Sequence, residues 1–138
     1  MNAPTMTQVV VPVRYPPSEH SMATLATAID IAADRDANLT VIHISRYQDD
    51  RTAGRADLKA AVEHEFGQLE NTRYVVRNGL LVEETLLDEI VAEDADVVVI
   101  GKKQAGRWRE MIRRLADDPD VERFLREELD CDVVTAEP

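Results

Sequence analysis

One cysteine, three lysines, five glycines and no long apolar run are the scarcities of this chain. Cys131 has no second thiol to bridge and no metal-ligating neighbour at useful spacing, which excludes an internal disulfide and a thiolate metal site. It is expected to be a small residue that opens the last strand. No apolar stretch approaches the roughly 18 residues a membrane-spanning helix needs. The start, Met1-Asn2-Ala3-Pro4-Thr5, has neither the charged nor the apolar region of a secretion signal. A soluble cytoplasmic protein without membrane insertion is therefore expected. The length, 138 residues, suits one domain over 1–138 and is too short for two.

What the chain has in excess is acid. The net charge is -11, and it is uneven: residues 102–114 carry six Lys or Arg against one Glu, a local +5 that leaves -16 for the remainder. The acidic bulk argues against nucleic acid as a partner, because neutralising phosphates needs a broad basic footprint. Abundant Asp and Glu with so little Lys suggests adaptation to high salt, where screening weakens the repulsion among carboxylates. Equal stability in dilute buffer and in molar salt would contradict that expectation.

Short branched runs alternate with amphipathic ones. Gln8 to Val13 predicts strand one, stopped by Pro16-Pro17. Ser18 or Ser21 is placed to cap a helix whose apolar face is Met22, Leu25, Ala26, Ile29 and Ala33, running to about Arg35. Leu39 to Ile44 is nearly all apolar, as in a strand buried on both faces. After a polar loop at Asp49 to Gly54, Leu58, Ala61, Val62, Phe66 and Leu69 predict helix two over 55–70. Arg73 to Arg77 predicts strand three, ended by Asn78-Gly79; Val82, Leu86, Leu87, Ile90 and Val91 mark helix three, and Asp96 to Gly101 strand four. Beyond a basic loop, Trp108, Met111, Ile112 and Leu115 form one helical face. Val121, Phe124, Leu125 and Leu129 form another, after a break at Asp118-Pro119. Cys131 to Ala136 is strand five. The pattern predicts an α/β fold of the Rossmann-like kind, an open five-stranded parallel sheet with helices on both faces.

In such sheets ligands bind outside the carboxyl ends of the strands, where strand order reverses. Strand four ends on Gly101 and opens onto Lys102, Lys103, Arg107, Arg109, Arg113 and Arg114, and Arg14 directly follows strand one. The candidate crevice for a nucleotide or anion is formed by Pro12, Val13, Arg14 and Val41 on one side. Gly101, Lys102, Lys103 and Gly106 form the other. The competing reading is a solvated helix face whose arginines pair with nearby acids; a further one is docking of an acidic protein partner or of nucleic acid. Tyr15 and Trp108 have the chemistry to stack on a base, although Trp108 shares its helical face with Met111, Ile112 and Leu115 and is better explained as core.

The order of these elements and several phrases resemble the universal stress protein family over nearly the whole chain. The phrases are Val11-Pro12-Val13 followed by Ser18-Glu19-His20-Ser21; Leu39-Thr40-Val41-Ile42-His43; Ala95-Asp96-Val97-Val98-Val99-Ile100-Gly101; and Glu122-Arg123-Phe124-Leu125-Arg126 running into Cys131-Asp132-Val133. The resemblance implies strand order 3-2-1-4-5, and a homodimer paired through the edge strand Cys131 to Ala136, since an exposed edge offers unpaired backbone groups. ATP-binding members end strand one on Val-Asp and follow strand four with Gly-x2-Gly-x9-Gly-Ser or Gly-Thr, whose small residues admit phosphates to backbone amides. Here Arg14 replaces the aspartate, Gln104 the second glycine, with Gly106 nearby, and Asp118-Pro119-Asp120 falls where the last pair belongs. The comparison implies that ATP is not bound in the family's usual manner and that no cofactor is held, leaving a smaller nucleotide or an anion as the alternative ligand.

Catalytic constellations are missing. Ser18 and His20 lack a nucleophile elbow and a third orienting group, and Ser18 is better explained as a cap. His20, His43 and His64 have no metal-ligand spacing. His43 is expected to be a satisfied strand residue; Glu83-Glu84 and Glu127-Glu128 read as helix surfaces. The chain is not expected to be an enzyme. The leading expectation is a stress-response or regulatory domain working through homodimer and protein contacts, the second a nucleotide or anion sensor, and a slow phosphohydrolase a distant third.

Overall fold

The computed structural model describes residues 7–46, 54–115, 127 and 131–136. The elements run β1 (Gln8–Pro12), α1 (Glu19–Asp34), β2 (Asn38–Arg46), α2 (Arg55–Phe66), β3 (Thr72–Gly79), α3 (Val82–Ala92), β4 (Val97–Gly101), α4 (Lys102–Leu115) and β5 (Asp132–Ala136). The strands form one parallel sheet in the order β3-β2-β1-β4-β5, as the resemblance implied.

Alternation along each strand divides the core in two. Val9, Val11, Val41, Val97 and Val99 face α1 and α2, where they meet Leu25, Ala28, Leu58 and Val62. Val10, Ile42, Ile44, Val98 and Ile100 face the other way, onto Leu86 and Ile90 of α3 and Ala105 and Trp108 of α4. Such double-sided burial explains why the inner strands read as unbroken apolar runs. Three turns that feed strands place Asp36, Asn71 and Asp94 at positive φ, near 50°, the left-handed region that Asp and Asn tolerate best after glycine.

Several boundaries differ from expectation. α2 stops at Phe66, four residues short, because Gly67 takes φ 75° and its N–H bonds back to Glu63 O at 2.8 Å. Leu69 still packs against the core from outside the helix. β3 continues through Asn78 and Gly79, which pair with Ser45 and Arg46. Val91 is not on the buried stripe of α3 but 59% exposed, since Leu86 and Ile90, four apart, define the inward face and Val91 lies about 100° round the helix from Ile90. The loop expected at residues 49–53, the break at Asp118-Pro119 and the helical face of Val121, Phe124, Leu125 and Leu129 lie outside the described residues. Cys131 is buried just before β5 and forms no disulfide. No described helix is long and apolar enough to cross a membrane.

One buried polar group is left unsatisfied on the α1/α2 side. Tyr74 is 4% exposed and its hydroxyl has no hydrogen-bond partner. Burial first, and the Glu63 carboxylate second, push its pKa above the ordinary tyrosine range. The folded state thus holds the proton longer than the unfolded chain, so the ionisation of Tyr74 has no effect on stability below the ordinary value near about 10 and lowers stability as pH rises beyond it. Tyr74→Phe is expected to stabilise the protein by about 1 kcal/mol, by removing the unpaired hydroxyl, and to flatten the alkaline decline. Urea denaturation of both proteins on either side of about pH 10 checks this; parallel declines would refute the assignment.

Candidate functional site

The switch point lies between the carboxyl ends of β1 and β4, and Pro12 helps to open it. Val13 N–H donates to Ile42 O at 2.8 Å, so residue 13 faces β2 and residue 12 faces β4. Proline at 12 therefore turns its missing N–H toward β4. Pairing of β1 with β4 covers only Val9↔Val97 and Val10↔Val98, whereas β1 stays paired with β2 to Pro12↔Ile42.

On the β1 side the chain is tied down by a short polar network. Ser18 caps α1, its Oγ accepting from Ser21 N–H at 3.1 Å, and Arg14 N–H lies 3.4 Å from Ser21 Oγ. His43 Nδ1 lies 3.1 Å from Val13 O and its Nε2 3.4 Å from Ser45 Oγ. A carbonyl oxygen only accepts, so Nδ1 carries a proton there, leaving Nε2 of the neutral ring to accept from Ser45. The ring of Tyr15 stands 6.2 Å from that of His43, tilted by 57°, and Tyr15 remains 38% exposed. His43 is thus a satisfied strand residue, and Tyr15 packs on it at the rim.

On the β4 side the expected basic loop is replaced by helix. α4 begins at Lys102, directly after Gly101. The lysines and Gln104 suit a helix well, and burial of Ala105 and Trp108 against the sheet holds the helix from its first turn. The backbone at Gly101 approaches α1 closely: a Cβ there would stand 3.0 Å from Thr24 Oγ1, itself bonded to His20 O at 3.0 Å. Gly106 lies in the second turn of α4, where a Cβ would meet nothing within 4 Å. Its amide belongs to the helix ladder. Lys102 and Lys103 are exposed at the helix start, and the first turn carries no acid. The positive end of the helix dipole adds to their charge, which favours an anion over a cation at this end.

The sequence-selected residues therefore divide. Arg14, Lys102 and Lys103 are exposed at adjacent strand ends, and Pro12 and Gly101 are half-buried beside them. Val13 and Val41 are core residues, 7% and 0% exposed, and offer at most backbone to a crevice. Trp108 is 0% exposed among Ile100, Leu86 and Ile90, so it cannot stack on a base. His43 and Ser45 were not chosen, although their two-residue spacing at a strand end places both on one face. Among the described residues no cluster of three His, Cys, Asp or Glu could hold a metal.

The sheet is open and parallel, its strand order reverses between β1 and β4, and exposed Arg14, Lys102 and Lys103 stand at those strand ends, which defines a Rossmann-like architecture. The sequence profile of the universal stress protein family matches residues 6–134, and the chain belongs to that family. No curated protein matches it in sequence. Among solved structures it is similar to a universal stress protein in complex with cAMP (16% identity, 96% of this chain and 97% of that one, TM-score 0.59). It is also similar to universal stress protein UspA from Lactobacillus plantarum (18%, 99% and 100%, 0.59). A third likeness is the universal stress protein from Archaeoglobus fulgidus in complex with dAMP (17%, 96% and 98%, 0.56). At these identities the likeness shows the fold.

Proposed function

We propose that this chain is a universal stress protein of the kind that does not hold ATP, acting in stress response or regulation as a cytoplasmic homodimer through protein contacts and without catalysis. One observation carries this reading: α4 starts at Lys102, so the first part of the stretch that ATP-binding members need as a glycine loop, from Lys102 through the second glycine position at Gln104, is helix, and the amides beyond the first turn of α4 are committed to the helix ladder. Arg14 in place of the aspartate supports it. Dimerisation is assigned to β5, which pairs with β4 on one side and stands at the end of the sheet.

A second reading, a sensor of a smaller nucleotide or another anion, is favoured by the exposed Arg14, Lys102 and Lys103 around the switch point and by the cAMP and dAMP complexes of similar structures. Thermal unfolding in high salt separates the two, using ATP, AMP, cAMP, cyclic dinucleotides and inorganic phosphate. A ligand at a hundred times its dissociation constant adds about 2.7 kcal/mol. The first reading expects no shift with any of them. A shift that is lost in Lys102→Gln/Lys103→Gln and Arg14→Gln variants would replace it with the sensor.

A further inference from the structure

The far edge of the sheet is closed by two arginines. β3 pairs with β2 without interruption from Leu39↔Thr72 to Arg46↔Gly79, which makes it a long strand with its outer side unpaired among the described residues. Leu39 N–H donates to Asn71 O at 2.8 Å. That bond sets the parity: residues 71, 73, 75 and 77 point their backbone groups at β2, while Thr72, Tyr74, Val76 and Asn78 point outward. A straight edge carrying Tyr74-Val75-Val76 is a template for strand addition.

The two central outward carbonyls are already occupied. Arg55 Nε donates to Tyr74 O at 3.1 Å, and Arg77 Nη1 donates to Val76 O at 3.3 Å. Each arginine is held from a different helix. Arg55 is the first residue of α2, and the turn before it is fixed by Gly54 N–H donating to Asp57 Oδ2 at 2.8 Å. Arg77 is held by its Nε donating to Glu89 Oε2 of α3 at 3.2 Å. The arms close over the strand from opposite faces of the sheet and bound a groove of about 530 Å3. Arg73, also in the groove, pairs instead with Glu93 at 3.3 Å. These cations are spent within the chain, which argues against the groove as an anion site and for a protective role.

We propose that Arg55 and Arg77 form a clamp that closes the β3 edge against strand addition by a second copy of this chain. An incoming strand must donate N–H groups to the outward carbonyls of Tyr74 and Val76, which the guanidinium groups now fill, and a second copy would bring its own three arginines against these. The proposal is independent of the functional reading above, which concerns the opposite edge.

Sedimentation of the wild type, Arg55→Ala/Arg77→Ala and Arg73→Ala over a range of concentrations tests it. The double variant is expected to gain a concentration-dependent species of twice the wild-type mass, in which the amides of Tyr74, Val76 and Asn78 exchange about tenfold more slowly. Arg73→Ala should sediment as the wild type. Glu89→Ala, which takes away the acceptor that holds Arg77 without removing Arg77 itself, should show a smaller share of the same species and covers the case in which the double variant does not fold. The clamp is refuted if the folded double variant, or in its absence Glu89→Ala, keeps the wild-type mass throughout. Association without protection of those three amides, or equal association of Arg73→Ala, refutes it as well.

Discussion

Trp108→Ala is expected to lower the free energy of unfolding by about 3 to 5 kcal/mol, a large share of the roughly 5 to 15 kcal/mol that holds an ordinary domain. The side chain is 0% exposed and is the largest of the fully buried ones. It joins α4 to the sheet through Val98 and Ile100 and to α3 through Leu86 and Ile90, so alanine would leave a cavity lined from three elements. Its Nε1 has no hydrogen-bond partner. Trp108→Phe removes that unpaired donor along with part of the volume and should cost far less than alanine. Chemical denaturation followed by far-ultraviolet circular dichroism measures both; an alanine variant within about 1 kcal/mol of the wild type would contradict the assignment of Trp108 as the keystone of this face.

Gly79→Ala should destabilise the protein by about 1 to 3 kcal/mol through overpacking. A Cβ at this position would strike the Thr85 side chain, with its Cβ only 2.8 Å and its Cγ2 only 2.9 Å away. Thr85 cannot easily turn aside, because its Oγ1 donates to Leu81 O at 2.8 Å across the first turn of α3. The turn from β3 into α3 thus depends on a missing side chain. Gly106→Ala is the contrasting case: nothing stands within 4 Å of the added methyl, and alanine inside a helix is favoured by about 1 kcal/mol. Opposite signs for the two substitutions, measured in the same denaturation series, are the expected result. Equal effects would show that backbone freedom, not the approach of Thr85, governs position 79.

The fold was legible because its signals are local and repeated. Branched runs such as Gln8-Val9-Val10-Val11 and Val97-Val98-Val99-Ile100 could hardly be anything but buried strands, and Ser18 was identifiable as a cap. Strand order needed the family resemblance, since nothing in a run of valines names its neighbour. The start of α4 is less legible, and a basic loop is expected where the chain is helix from Lys102, because the helix propensity of Lys102, Lys103 and Gln104 is a weak signal that only the burial of Ala105 and Trp108 makes decisive. The rest depends on contacts between distant residues. His43 meets the Val13 carbonyl 30 positions away, and Arg55 meets that of Tyr74 across 19. An arginine that caps a strand edge looks, in sequence, like any other charged surface residue.

The central claim, that the end of β4 is built as helix and offers no cradle to a triphosphate, is tested most directly by following the backbone amides of Gly101, Lys102, Lys103 and Gln104 in nitrogen-15 correlation spectra. ATP with magnesium is titrated at the lowest salt in which the protein stays folded, with ATP alone and matched salt as controls. The account expects these four resonances, and that of Arg14, to move no further than the salt control moves them. Saturable shifts that centre on Gly101 to Gln104 and are lost in Lys102→Gln/Lys103→Gln would mean that the helix start does bind the nucleotide, and the reading of this chain as an ATP-independent interaction domain would fall.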